Sequence, residues 1–230
     1  MNIAIIPARG GSKRIPRKNV RPFCGRPMLA WPIDAAIESG LFDHVLVSTE
    51  DTEIADVARR AGAEVPFTRP AEIADDHSGT TDVIVHALSW AIDAGWPVEA
   101  ACCIYATAAF VSPEDLIEAR SLLSPDCDYA FAAVRYGHPP QRAFLRAADG
   151  SPRLLQPEHQ TTRTQDLPAI YHDAGQFYWG TREAWMERRP FFGPRTRFVE
   201  LPPWRAQDID RREDWTMAEQ LFAALRARDR

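Results

Sequence analysis

The sequence predicts an α/β protein: a mostly parallel central sheet flanked by helices, in one domain spanning residues 1–230. Three observations carry that prediction. Short runs at 2–7, 44–49 and 100–105 carry apolar residues at consecutive rather than alternating positions, as expected of strands covered on both faces. Stretches with helical periodicity separate them, which is the alternation that builds a parallel sheet. The first run leads directly into a basic, glycine-containing loop at 8–21.

Taken in order, 2–7 is the first strand and 27–39 a helix, with Pro27 in its first turn, Pro32 in that turn or at a kink, and Gly40 as its stop. Residues 44–49 form a strand, 51–61 a helix ended by Gly62, and 64–67 a short strand. Helix 80–94 collects Val83, Ile84, Ala87, Leu88 and Ala91 on one face. Strand 100–105 follows, and Ser112-Pro-Glu-Asp115 opens a helix with a cap, a proline and first-turn acids. The second half loses the rhythm. Strand 128–135 precedes a hairpin over 143–155 that turns at Ala148-Asp-Gly-Ser151, then a polar segment at 156–168. Strands at 174–180 and 197–201 and a closing helix at 210–228 complete the chain. Residues 137–173 read as an irregular insertion suited to an acceptor site or a second subunit.

Composition excludes several classes. Apolar residues at 45% supply a core. A net charge of −5 and a pI near 5.7 argue against general nucleic-acid binding, which relies on broad positive potential. No apolar run approaches the roughly 18 residues that span a membrane. The run at 3–8 is too short, and contains Pro7, to act as a secretory signal. Cys24, Cys102, Cys103 and Cys127 lack metal or redox spacing and are expected to be reduced. A cytoplasmic enzyme is the expectation.

Against this acidic background, 9–26 holds seven basic residues, Arg9, Lys13, Arg14, Arg17, Lys18, Arg21 and Arg26, and no acid precedes Asp34. The only two lysines of the chain are both here. Backbone N–H groups beside Gly10 and Gly11, with cations around them, suit a polyphosphate. The loop is neither a Walker A nor a dinucleotide fingerprint. In parallel sheets ligands bind at the carboxyl ends of strands. The segments 8–21, 48–51 and 106–112 all follow strand ends, so they should share one rim. Asp208-Ile-Asp210 has two readings. In extended backbone both carboxylates project together as ligands for Mg²⁺; alternatively, Asp210-Arg-Arg-Glu213 is a capping-box start. Arg69 could clamp a phosphate or lie on the surface, and Thr80 opens a helix with a hydroxyl and free N–H groups. Arg142 and Arg163 could hold a substrate carboxylate. No histidine pair has metal spacing; His77 and His86 read as unpaired.

Ile6-Pro-Ala-Arg-Gly-Gly-Ser-Lys-Arg-Ile-Pro-Arg-Lys-Asn19 resembles the opening motif of the CMP-sialic acid synthetases, the acylneuraminate cytidylyltransferases. Val47-Ser-Thr-Glu50, Arg69-Pro-Ala-Glu-Ile-Ala-Asp75 and Gln207-Asp-Ile-Asp210 follow in that family's order. Ser12–Asn19, Ile104-Tyr-Ala-Thr107 and Asp173-Ala-Gly-Gln-Phe-Tyr-Trp179 look like the family's pseudaminic acid branch. Where sialic acid enzymes carry Gln-Pro-Thr-Ser-Pro-Leu-Arg, this chain reads Tyr105-Ala-Thr-Ala-Ala-Phe-Val111, which points away from sialic acid itself.

The resemblance implies a Rossmann-like nucleotidyltransferase fold with a small inserted dimerisation and substrate region. It implies transfer of CMP from CTP to the anomeric hydroxyl of a nine-carbon α-keto acid sugar, with Mg²⁺ (or Mn²⁺) as cofactor and a homodimer as the assembly. Matched residue by residue, Arg9, Ser12 and Lys18 would hold the triphosphate. Asn19, Arg69 and Thr80 would contact the nucleotide, and backbone near Ala8 and Gly10 would face it. Asp208 and Asp210 would bind the metal, with Arg9 and Lys18 the principal catalytic cations. Gln141, Arg142, Arg163 and Gln176 would face the sugar.

Overall fold

The computed structural model describes residues 1–74 and 79–228. Asp75, which ends the Arg69 motif, and His77 lie outside them.

Strand β1 (Asn2–Pro7) is followed by a two-stranded ladder, β2 (Pro22–Phe23) and β3 (Arg26–Pro27), and helix α1 (Ala30–Glu38). Next come β4 (His44–Ser48), α2 (Thr52–Arg60), α3 (Thr80–Asp93), β5 (Ala100–Ile104) and α4 (Pro113–Leu122). The second half holds β6 (Tyr129–Arg135), a hairpin of β7 (Phe144–Arg146) and β8 (Pro152–Leu154), β9 (Tyr171–Thr181), α5 (Arg182–Met186), β10 (Thr196–Leu201) and α6 (Arg212–Arg228). Six strands form one sheet in the order β10-β6-β9-β5-β1-β4. β1 pairs in parallel with β4 and β5, and β10 with β6, whereas β9 is antiparallel to both its neighbours. The sheet is therefore mostly parallel, as expected, with one reversed strand.

That reversed strand is the main departure from the sequence expectation. β9 begins at Tyr171, inside the segment read as irregular, because Arg135 pairs with Tyr171 and Ala133 with Asp173. Its first residues thus stand at the rim where β6 ends. Smaller differences have local causes. Helix α1 starts at Ala30, since Arg26 and Pro27 pair with Pro22 and Phe23. Pro32 lies in its first turn, where no intrahelical N–H is required. The stretch at 64–67 supplies only a single bridge, Leu46 to Glu64. Gly40 and Gly62 end α1 and α2 in the left-handed conformation, at φ +63° and +95°. The hairpin turns where expected, with Ala147 N–H donating to Ser151 O at 2.9 Å. Helix α6 starts at Arg212, two residues later than read.

Two apolar layers cover the sheet. One face carries Ile6, Val47, Ile104, Phe177 and Trp179 beneath α1, α2 and α4. The other carries Ile3, Ile5, Leu46 and Tyr178 beneath the Ile84, Ala87, Leu88 and Ala91 stripe of α3. A third cluster joins Ile15, Phe23, Ile209, Trp215 and Phe222, so it ties the basic loop, the small ladder and α6 into one unit.

Candidate active site

The chain passes from β1 to β4 on one side, then crosses to β5 on the other. The strand order reverses between β1 and β5, and a crevice opens at such a point. A cleft of about 370 Å³ lies there, between Pro7 at the end of β1 and Tyr105 to Thr107 beyond β5. Arg9, Lys13, Arg14, Lys18 and Arg69 line it; among the described residues Asp210 is the only lining acid. This excess of positive charge in a concave site suits a polyanion.

Several contacts shape the basic loop. Gly10 packs closely: a Cβ there would sit 2.5 Å from Asp51 Oδ2, so the Asp51 side chain would have to shift. The Gly10 N–H donates to Glu50 Oε1 at 2.6 Å. That amide is committed within the protein, so it is not available as a donor to an anion in the cleft. The Asn19 amide donates to Arg9 O at 2.9 Å and braces the loop across its width. Arg17, in the left-handed region at φ 56°, donates to both Asp51 oxygens, at 2.5 and 3.0 Å. Asp51 also caps α2 through Ile54 N–H at 3.0 Å.

The Arg17 guanidinium holds the Asp51 carboxyl down at about 2, from an ordinary 3.8. A depressed carboxyl stabilises the fold above its unfolded value and stops doing so as pH falls through its folded value. Asp51→Asn keeps the helix cap and removes the ion pair. It is expected to cost under about 1 kcal/mol at pH 7, because the pair is partly solvated. Urea unfolding at pH 7, 4 and 1.5 checks this: the gap between the two proteins should narrow below pH 4 and be largely gone below about 2. A gap that persists undiminished at pH 1.5 would assign the effect to packing.

Lys18 is largely buried and reaches back across the cleft, donating to Ile209 O, with Asp210 Oδ1 at 3.7 Å. Burial lowers its pKa, opposed by the nearby Asp210 and Asp208 carboxylates. Both acids therefore act on the same ammonium. The reason is local: Ile209 is 1% exposed in the third cluster, so its flanking carboxylates are left outside the core. At the helix start the cap contacts go to Asp214. The amides of Asp210 and Arg211 donate to Asp214 Oδ2 at 3.1 and 2.7 Å, so Asp214 closes the helix start. The Asp210 carboxylate instead accepts from Arg14 Nη1 at 2.6 Å.

Asp208 and Asp210 have the chemistry of a hard-cation site. Among the described residues no group of three or more His, Cys, Asp or Glu side chains is placed to hold a metal. Two carboxylates with the remaining positions left to phosphate and water oxygens is a usual way to hold Mg²⁺ beside a nucleotide. The donor set fits that pattern.

Arg69 is buried rather than on the surface. Its Nε donates to Ser48 Oγ at 3.1 Å and a second nitrogen to Ser48 O, and burial lowers its pKa against the pull of Glu50. Ser12, Asn19 and Thr80 join it on the cleft wall. Thr80 Oγ1 lies 3.4 Å from the Tyr105 hydroxyl. Ala8 is fully buried beneath, its N–H bonded to Ser48 O.

The expected sugar-facing residues do not gather in this cleft. Gln141 lines a separate cleft of about 330 Å³ between the end of β6 and the 164–170 segment, with its Nε2 bonded to Pro168 O at 2.9 Å. Gln176 donates to Arg205 O and Arg142 to Thr162 O. The Oε1 atoms of Gln141 and Gln176 are buried without a hydrogen-bond partner. Arg163 is exposed. Arg14 and Tyr105 line the cleft and Glu50 supports the loop, though sequence reasoning named them only within motifs and gave them no individual role. The position of 48–51 after a strand end was the signal that could have found Glu50.

A family model described as cytidylyltransferase matches residues 3–221 of this sequence. The chain belongs to the cytidylyltransferase family. Relatives agree with that membership. The enzyme is 38% identical over 96% of both chains to a pseudaminic acid cytidylyltransferase of Campylobacter jejuni. It is 30% identical, over 96% of its own length and 95% of the relative's, to a CMP-N,N'-diacetyllegionaminic acid synthase of Legionella pneumophila. Its fold is similar to that of a CMP:2-keto-3-deoxy-manno-octonic acid synthetase solved with CTP, at a TM-score of 0.71 and 16% identity over 97% and 99% of the two chains. The Rossmann-like cytidylyltransferase fold and the cationic cleft at its switch point thus belong to one enzyme. Among the described residues, no helix is long and apolar enough to cross a membrane.

Proposed function

We propose that this cytidylyltransferase transfers CMP from CTP to the anomeric hydroxyl of pseudaminic acid and releases pyrophosphate. The observation that carries the substrate assignment is the 38% identity, over 96% of both chains, to a relative that bears that name. The cation-lined cleft supports the nucleotide half of the reading.

The sugar hydroxyl oxygen attacks the α-phosphorus, the bond from that phosphorus to the pyrophosphate oxygen breaks, and the hydroxyl proton is lost. Arg9, Ser12 and Lys18 hold the triphosphate in line and spread its negative charge, which is the main demand of such a transfer. Asn19 keeps the loop in shape through Arg9 O. Arg69, Thr80 and backbone near Ala8 contact the nucleoside end, and Gly10 keeps the loop close to Glu50. Asp208 and Asp210 would hold Mg²⁺ (or Mn²⁺), which supplies charge neutralisation at the phosphates when bound. Gln141, Arg142, Arg163 and Gln176 would face an acceptor that extends from the nucleotide cleft toward the end of β6, where Gln141 lines the second cleft.

Pyrophosphate release from CTP with a panel of nonulosonic acids tests this reading. Release with pseudaminic acid, and much slower release with legionaminic or N-acetylneuraminic acid, is expected. Preference for legionaminic acid would move the assignment to the branch of the 30% relative. No release with any of them would remove the catalytic reading.

The assembly proposed with this function is a homodimer. On the β7–β8 hairpin Leu145 and Leu155 are 46% and 55% exposed and Phe144, on the opposite face, 63%, apolar side chains suited to contact with a second copy. Light scattering on Leu155→Glu should report a monomer; an unshifted mass would place the contact elsewhere. Four free cysteines, two of them within β5, fit a cytoplasmic location.

A further inference from the structure

Arg14 has no role in the assignments above, yet it lines the cleft and grips one of its functional carboxylates. Its Nη1 lies 2.6 Å from Asp210 Oδ2, while Lys18 sits 3.7 Å from Asp210 Oδ1. Both oxygens of Asp210 therefore face cations belonging to the protein. The two grips differ in kind. Lys18 is largely buried and also donates to Ile209 O, so it is fixed in place. The Arg14 side chain is 68% exposed, and the backbone next to it is held by the packing of Ile15. Its guanidinium can leave Asp210 without moving the loop.

A divalent cation and a guanidinium compete for the same carboxylate oxygen. A triphosphate in the cleft offers Arg14 several oxygens in bidentate geometry, which Asp210 with one engaged oxygen does not. We propose that Arg14 is a further nucleotide-positioning residue that exchanges partners. It neutralises Asp210 while the cleft is empty, moves to the triphosphate when CTP enters, and thereby uncovers Asp210 for the metal. This rests on the reading of Asp210 as a metal ligand. Nucleotide and metal binding then favour one another, and the coupling is reciprocal. The exchange is inexpensive, because an exposed ion pair contributes only modestly.

The test is Mn²⁺ binding to the intact protein, followed by the electron paramagnetic resonance of the free ion, with and without a non-reactive CTP analogue bridged by carbon between the α- and β-phosphates. Without nucleotide, Arg14→Gln should bind Mn²⁺ about two- to five-fold more tightly than the unmodified protein, the size of an exposed ion pair. With the analogue present that advantage should vanish, and the analogue itself should bind Arg14→Gln more weakly. Asp210→Asn separates the two ideas. If Asp210→Asn loses Mn²⁺ but Arg14→Gln binds it no better than the unmodified protein without nucleotide, the exchange is overturned alone. If Asp210→Asn binds Mn²⁺ as the unmodified protein does, the metal assignment falls and the exchange falls with it.

Discussion

Replacing Asp210 with Ala is expected to lower kcat/KM for CMP transfer by about 10²- to 10³-fold, the usual loss when one preorganised charge-stabilising group is removed. Three observations make this the largest functional effect in the chain. Asp210 is the only acid lining the cleft among the described residues. Its carboxylate faces Lys18 and Arg14, two cations of the cleft lining. Its backbone is held independently, because Ile209 is buried and Asp214 accepts from its amide. The variant should therefore stay folded, and circular dichroism and unfolding midpoint serve as controls. Asp210→Asn separates two explanations. If Asp210 only steadies Lys18 and Arg14, the amide retains much of that geometry and turnover falls modestly. If Asp210 must bring negative charge to a divalent cation, Asp210→Asn should be nearly as slow as Asp210→Ala. Turnover within ten-fold of the unmodified enzyme for both variants would remove Asp210 from the chemistry.

Trp179→Ala is expected to be the most damaging single change to stability, at about 3–5 kcal/mol. Trp179 is fully buried on β9, stacked on Phe42 at 5.0 Å between ring centroids. Its Nε1 donates to Leu116 O of α4 at 3.1 Å, and the Arg120 guanidinium lies 5.7 Å from its ring. The substitution opens a cavity between the sheet and α4, and it leaves the Leu116 carbonyl without that donor. Urea denaturation should show a lower midpoint with an unchanged slope. Trp179→Phe restores most of the volume but not the hydrogen bond, so it should recover more than half of the loss. If Trp179→Ala lost less than 1 kcal/mol, the layer between β9 and α4 would have to be far more adaptable than a close-packed core.

Much of this architecture could be read before any coordinates, and the reasons are local. β1, β4 and β5 are continuous apolar runs because each is covered on both faces. The basic loop, the 48–51 turn and the segment after β5 share a rim because parallel strands end together. The partners across that rim were not legible. Glu50 holds the Gly10 amide from 40 residues away, and the Asp210 carboxylate meets Arg14 from 196. Capping patterns name the right residue type but not the winner: Glu213 fits the spacing, while Asp214 takes the amides. Strand direction is harder still. The Ala174-to-Gly180 pattern reads equally well in either orientation, and only its place between β5 and β6 fixes it as antiparallel. The surroundings of the residues expected to face a sugar were the least legible. Gln141, Arg142 and Gln176 are tied to backbone carbonyls, and such contacts have no sequence periodicity.

The reversal of β9 has a topological consequence. Because β6 runs toward the rim and β9 runs away from it, the chain between them leaves and re-enters the sheet at adjacent points, with Arg135 paired to Tyr171. The ends of that excursion are bolted together whatever lies between. Loop-closure entropy grows only with the logarithm of length, so doubling the excursion would cost about 0.6 kcal/mol. The fold thus carries one excursion whose length and sequence can change at little cost to the core that anchors its ends.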